Sequence, residues 1–416
     1  MSECGCGSVP VSGPLKTPEE ALELLLSHVR PVTETEQIPI SDALGRVLAG
    51  PVFSQTAVPP WDNSAMDGYA INTTDLTQEM TTLPVSQRIP AGVAGNPLQP
   101  GTAARIFTGA PVPPNADAVV IQELCEQTGD QVLIKQRVPT GANIRRAGED
   151  CQKGQQILAP GIRLGPQHLG AAASVGVAEL PVYRRLKVAL FSSGDELIMP
   201  GGKLGPGQIF NSNQFTLASL LQALGCDITN LGIVKDTFEA TCDALTRGAE
   251  QADLVLASGG VSVGEEDHVK PAVEKLGSLD LWKIAIRPGK PLAFGHIGDT
   301  PFIGTPGNPV SLFVTFCLFA RPYILSCQGV TENVLPTPIT AIADFDWDRP
   351  DKRREFARAR LALDESGTAR ISLFKSRSSG MLSSLTWANG LAIIPEQKTL
   401  NSGEKIQFLP FNELLS

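Results

Sequence analysis

Between residues 17 and 30 the apolar positions Ala21, Leu22, Leu24, Leu25 and Val29 recur at helical spacing behind Thr17-Pro18-Glu19-Glu20, a capped start with proline at the first helical position. The spacing predicts an amphipathic helix opening the fold. From residue 51 to about 138 the pattern changes to short β-rich runs such as 103–107 and 118–121, broken by Pro and Gly. This reads as a small β domain inserted into the first. A Gly/Ala-rich stretch at 168–177 reads as a tightly packed helix returning to the first domain, which makes that domain discontinuous. From 186 to about 325 strand-like and helix-like stretches alternate: 188–191, 214–224, 228–234, 238–249, 254–257. Such alternation marks βαβ units and a parallel sheet with helices on both faces. Beyond about 332, β-type runs return at 355–363, 369–374 and 390–395. The predicted fold is multidomain α/β and β. A discontinuous N-terminal domain (15–50 and 148–184) encloses the inserted β domain (51–147), followed by a central α/β domain (185–330) and a C-terminal β domain (331–416).

Composition narrows the function classes. The 416 residues suffice for about three domains with real cores. With 19% charged and 42% hydrophobic residues, neither wholesale disorder nor a membrane protein is indicated. Gly 40 and Pro 33 favour tight turns over long helices. A net charge of −9 opposes general binding to nucleic acid. The longest strongly apolar stretch, 310–320, is about half of a membrane span, and residues 1–13 lack the features of a secretory signal. A cytoplasmic protein with no membrane segment is expected. Eight scattered cysteines read as reduced core thiols, and Cys4 and Cys6 lack the paired ligands that a zinc site needs.

Candidate chemistry gathers at strand ends. The first central strand runs into Ser192-Ser193-Gly194-Asp195-Glu196, where small residues let a phosphate approach the backbone and carboxylates are positioned to hold a divalent cation. An ordinary capped turn is the competing reading. After 254–257 comes Ser258-Gly259-Gly260-Val261-Ser262-Val263-Gly264, then Glu265, Glu266 and Asp267, a Gly/Ser loop suited to cradling an anion. The phosphate fingerprints of P-loop and dinucleotide folds are missing. Lys283 and Arg287 fall at alternate positions of one predicted strand, on one face, with Lys290 in the next turn, so three cations suit a polyanion or form a solvated basic face. Gly304-Thr305-Pro306-Gly307-Asn308-Pro309 ends another strand and caps a helix. The run 143–150, with Arg145 and Arg146, reads equally as a hinge salt-bridge cluster or a site. His28, His168, His268 and His296 stand in unrelated contexts, which argues against a nucleophilic triad.

In order along residues 15–415, the segments 63–70 (Asn-Ser-Ala-Met-Asp-Gly-Tyr-Ala), 108–113, 145–150, 193–197, 258–264, 287–291 and 306–309 resemble the molybdopterin molybdenumtransferase family, MoeA, to which the E domain of gephyrin is related. The resemblance implies a homodimer of four-domain subunits with a central molybdopterin-binding-type fold. It also implies a reaction in which adenylylated molybdopterin and molybdate, the substrates, give molybdenum cofactor and AMP, with Mg2+ assisting and a molybdopterin adenylyltransferase as donor. By motif position it assigns activity to Asp67, Thr108, Asp150, Glu196, Asp236 and Asp267, with Glu196 and Asp267 on Mg2+. Asp67 and Thr108 would face the other subunit. Substrate binding falls to Ser193, Gly194, Gly259, Gly260, Ser262, Gly264, Lys283, Arg287, Lys290, Pro306, Gly307, Asn308 and Pro309, and molybdate contacts to Arg358 and Ser379. A nucleotide pyrophosphatase carrying a related domain, and a non-enzymatic scaffold, are the alternatives.

Overall fold

The computed structural model describes residues 15–261, 268–289 and 291–415. Helix α1 (Pro18–Ser27) starts as its sequence predicts. The Thr17 hydroxyl accepts from the Glu20 N–H, the Glu20 carboxylate accepts from the Thr17 N–H at 2.8 Å, and Ala21 and Leu25 are fully buried. The segments on either side of the inserted β region pair with each other: Thr35–Pro39 lies antiparallel to Glu179–Tyr183, and Val52–Phe53 antiparallel to Gln156–Leu158. Between them, six strands form one sheet in the order Ala118–Ile121, Gly68–Ile71, Ala103–Ile106, Thr81–Ile89, Gln131–Ile134, Cys125–Thr128.

The central sheet positions the site. Its elements are β1 (Lys187–Ser193), α2 (Ser212–Ala223), β2 (Asp227–Val234), α3 (Phe238–Gln251), β3 (Leu254–Ser258), α4 (Val269–Leu276), β4 (Gly277–Lys283), β5 (Pro291–Ile297), β6 (Thr300–Thr305) and the continuous helix α5 (Pro309–Cys327). β1 after Lys187 and all of β3 are buried, the run expected of strands covered on both faces. Strand periodicity sorts them: Val188, Leu190, Leu254 and Leu256 pack with Leu217 and Leu221 of α2, whereas Ala189, Phe191, Val255 and Ala257 pack with Leu245 of α3 and Val273 of α4.

The strand order is β2-β1-β3-β6-β5-β4, and the first four are parallel as predicted. The last two are antiparallel, a departure with a plain cause. Only Gly298 and Asp299 separate the paired residues Ile297 and Thr300, and a parallel crossover needs a dozen residues or more. Helix α5 extends beyond the predicted apolar stretch to 19 residues, and an 18-residue stretch of it has mean hydropathy 1.7, long and apolar enough to cross a membrane by length and composition. Here 89% of that 18-residue stretch is buried inside the fold.

The C-terminal strands β7 (Ile339–Ala343), β8 (Arg354–Leu363), β9 (Ala369–Leu373), β10 (Gly390–Ile394) and β11 (Lys405–Pro410) close a ring, β8-β9-β7-β11-β10-β8. Among the described residues the cysteines are free thiols, as expected. Burial pushes Cys226 and Cys317 up to about 12 and Cys327 up to about 11.

Candidate functional site

The carboxyl ends of β1, β3 and β6 open onto a cavity of about 860 Å³, where ligands of such sheets are held. Eleven of the predicted residues line it: Ser193, Gly194 and Glu196 after β1, Asp236 after β2, Gly259 and Gly260 after β3, Pro306, Gly307, Asn308 and Pro309 after β6, and Ser379 from the C-terminal domain. Close backbone approach explains one of the glycines. A Cβ on Gly259, whose φ is +88°, would lie 2.4 Å from the Ser193 carbonyl oxygen. One on Gly194 would lie 2.6 Å from a carboxylate oxygen of the exposed Glu196 side chain, which is free to turn aside.

Donors and acceptors are distributed in a definite way. The Gly259 N–H donates to the Thr305 carbonyl at 3.2 Å, so Gly259 serves loop contact and not ligand donation. The N–H groups of Gly260, Gly307 and Asn308 have no hydrogen-bond partner among the described residues and are among the free backbone donors around the cavity, a cradle for an oxyanion. Ser193 donates its hydroxyl hydrogen to Asp236, whose other oxygen accepts from the Asp195 N–H at 3.3 Å. With that proton committed, the hydroxyl of Ser193, a lining residue, keeps only acceptor capacity, suited to an N–H or O–H of a ligand and not to a phosphate oxygen. Two carboxylates, Glu196 and Asp236, and no cation line the cavity among the described residues. Glu196 is exposed.

Several predicted residues stand elsewhere. Lys283 and Arg287 do not share a strand: β4 ends at Lys283, and Ile286–Arg287 leaves the central sheet to pair in parallel with the start of β8. There Arg287 forms an ion pair with Asp351 at 2.9 Å, and neither cation lines the cavity. Arg358 is buried, 2% exposed, and its guanidinium donates to the carbonyls of Ser376 at 2.7 Å and Ser378 at 3.0 Å and to the Ser384 hydroxyl at 3.1 Å. It therefore holds the loop that carries Ser379 and does not itself line the cavity. The Ser379 carbonyl in turn accepts from the Val310 N–H at 3.0 Å, tying this loop to α5. Asp67 and Thr108 come together on the inserted sheet, away from the cavity lining. One Asp67 oxygen accepts from the Thr108 N–H at 2.8 Å and hydroxyl at 2.7 Å, and these bonds, the backbone one foremost, hold the carboxyl below the usual aspartate range. Asp150 is exposed and outside the lining, beside a cluster in which Arg146 pairs with Asp62 at 2.6 Å. Ser262, Gly264, Asp267 and Lys290, with Cys4 and Cys6, lie outside the described residues.

Sequence reasoning missed the wall formed by Ile209, Phe210, Asn211, Ser212 and Asn213, together with Ser311. The available signal was Asn211, an N-cap residue two positions ahead of another asparagine; its side chain accepts from the Gln214 N–H at 3.1 Å.

Residues 16–176 match the model of the MoeA N-terminal region (domain I and II), 189–326 that of a probable molybdopterin binding domain, and 340–411 that of the MoeA C-terminal region (domain IV). A Haemophilus influenzae protein named molybdopterin molybdenumtransferase is 38% identical over 405 residues, 96% of this chain and 99% of its own length. The chain belongs to the MoeA family. A second MoeA relative, molybdopterin molybdenumtransferase 2 of Mycobacterium tuberculosis, is 39% identical over 386 residues, 89% of this chain and 93% of its own. The crystal structure of the molybdopterin biosynthesis MoeA protein from Pyrococcus horikoshii superposes with a TM-score of 0.81 at 29% identity, covering 95% of this chain and 100% of that one. The MoeA architecture thus extends over nearly the whole molecule, cavity included.

Proposed function

We propose that the chain is a molybdopterin molybdenumtransferase, which inserts molybdate into adenylylated molybdopterin and releases AMP. The observation that carries this reading is the cavity at the carboxyl ends of β1, β3 and β6, with the Gly260, Gly307 and Asn308 N–H groups as donors, in a chain whose relatives bear that name over nearly their full length. Those donors suit the pyrophosphate linkage of the substrate and stabilise the charge that collects on phosphate oxygens as AMP departs. Ser193, oriented by Asp236, takes a ligand N–H or O–H and so fixes which way the substrate lies.

An anionic ligand beside Glu196 and Asp236 calls for a counter-ion. Mg2+ takes one or two carboxylates and completes its shell with phosphate oxygens and water, and the exposed Glu196 fits that demand. Asp236 is already engaged by Ser193 and Asp195, so it orients the serine. When bound, Mg2+ supplies charge neutralisation at the pyrophosphate. Asp67 and Thr108, bonded to each other but absent from the cavity lining, serve in this reading the cavity of a second copy in a homodimer. The test is AMP release by the purified protein given adenylylated molybdopterin and Mg2+, with and without molybdate. Molybdate-stimulated release with a product that reconstitutes an apo-molybdoenzyme is expected. Release indifferent to molybdate makes the protein a pyrophosphatase, and binding without release makes it a scaffold.

A further inference from the structure

We propose that Asn213, in the first turn of α2, is a positioning residue that sets the separation of the two anion-accepting loops. Its amide nitrogen donates to the Ser258 hydroxyl oxygen at 3.0 Å and to the Gly307 carbonyl at 2.7 Å. The two hydrogens of one NH2 group therefore join the end of β3 to the loop after β6, and no other side chain of this length carries two donors on one planar atom. The helix that bears it is itself anchored. Asn211, 1% exposed, caps α2 through Gln214 and accepts from the Ser192 hydroxyl at the end of β1 at 3.4 Å. One turn of helix thus touches the ends of three neighbouring strands.

Two consequences follow for the donors around the cavity. The Gly307 carbonyl and the Asn308 N–H belong to one planar trans peptide, so holding the carbonyl to Asn213 directs that N–H to the opposite side. The Gly260 N–H, two residues beyond Ser258, is fixed from the same point through the β3 end. The amide is retained at a cost: Asn213 Oδ1 is shut off from solvent and has no hydrogen-bond partner, an arrangement that folded proteins seldom keep without a reason. Here the reason is the pair of bonds made by the nitrogen.

The proposal rests on the assignment of this cavity to adenylylated molybdopterin, and the assay separates the two. In Asn213→Asp the shape is kept but both donors are lost; Asn213→Ser keeps one donor; Ser258→Ala removes one of the two acceptors. Expected is a rise in KM for adenylylated molybdopterin of about tenfold to a hundredfold in Asn213→Asp, the range for an ångström-scale misplacement, and a smaller rise in the other two. In Asn213→Ser and Ser258→Ala the thermal midpoint and the KM for molybdate should stay near wild type, whereas Asn213→Asp, which sets a carboxylate against the Gly307 carbonyl, should also lower the midpoint; Asn213→Ser combined with Ser258→Ala should add less than the single effects sum to. A side chain that merely supports the fold would lower the thermal midpoint and the active fraction without moving KM. Unchanged KM in Asn213→Ser and Ser258→Ala overturns the proposal, including the case in which Asn213→Asp does not fold. If the wild type releases no AMP, the functional reading fails, and equilibrium binding of AMP to the same variants then decides the positioning role: about tenfold weaker binding supports it, equal binding refutes it.

Discussion

Replacing Gly259 with alanine brings a methyl group against the backbone of β1. The added Cβ would stand 2.4 Å from the Ser193 carbonyl oxygen. Ordinary contact starts at 3.4 Å, so the shortfall is about 1 Å, and the obstacle is main chain that cannot rotate away. The φ of +88° adds its own penalty, about 1–2 kcal/mol for an L residue in a left-handed conformation. Overpacking adds about 1–3 kcal/mol, which makes a loss of about 2–5 kcal/mol the expectation. The same 1 Å must be taken up by moving the loop after β3 away from the end of β1, and misplacement on that scale costs about a hundredfold in rate. Thermal unfolding and steady-state AMP release read the two effects. Gly170→Ala, in helix Pro166–Ser174 with nothing near its Cβ position, is the control and should be neutral or slightly stabilising. A Gly259→Ala protein with wild-type kcat/KM and an unchanged thermal midpoint would refute the close-approach argument.

Arg358→Lys should loosen the loop at 376–384, because an ammonium cannot reproduce the fork that reaches two carbonyls and a hydroxyl. About 1.5–3 kcal/mol is at stake for each charged hydrogen bond lost, so amide exchange across that loop should rise in the variant, and unchanged exchange contradicts a positioning role for Arg358. Asp67 should titrate below the ordinary aspartate value of about 3.9, since the Thr108 N–H and hydroxyl favour its ionised form. Its contribution to stability is then present above the unfolded value and lost as pH falls through the folded one; carboxyl chemical shifts followed from pH 2 to 6 that place the midpoint at or above 3.9 would sink this assignment.

Much of the central domain was legible because buried parallel strands and amphipathic helices write strong periodicities. The strands predicted at 188–191, 228–234 and 254–257 appear as Lys187–Ser193, Asp227–Val234 and Leu254–Ser258. The sheet's far edge was not, because the segment at 282–291 alternates like one strand although its chain leaves the sheet after Lys283 to join the C-terminal barrel. Pairing partners far apart in sequence leave no mark on local pattern. Arg358 was assigned to molybdate by resemblance alone, and nothing in its local sequence shows the burial that makes it a holder of the Ser376 and Ser378 carbonyls. Loop glycines were read as anion donors as a class, whereas the structure separates them: Gly260 and Gly307 have free N–H groups among the described residues, and Gly259 gives its N–H to Thr305. Asn213 was passed over because a polar residue in a first helical turn is ordinary in sequence, and only its two partners make it notable.

The most direct test of the account is a crystal structure of the protein with adenylylated molybdopterin bound. The account predicts the pyrophosphate in the cavity after β1, β3 and β6, with its oxygens about 2.7–3.2 Å from the Gly260, Gly307 and Asn308 nitrogens and a ligand N–H or O–H on the Ser193 oxygen. A pyrophosphate seated on another surface, or one lying against Ser193 with those backbone donors turned away, would contradict it.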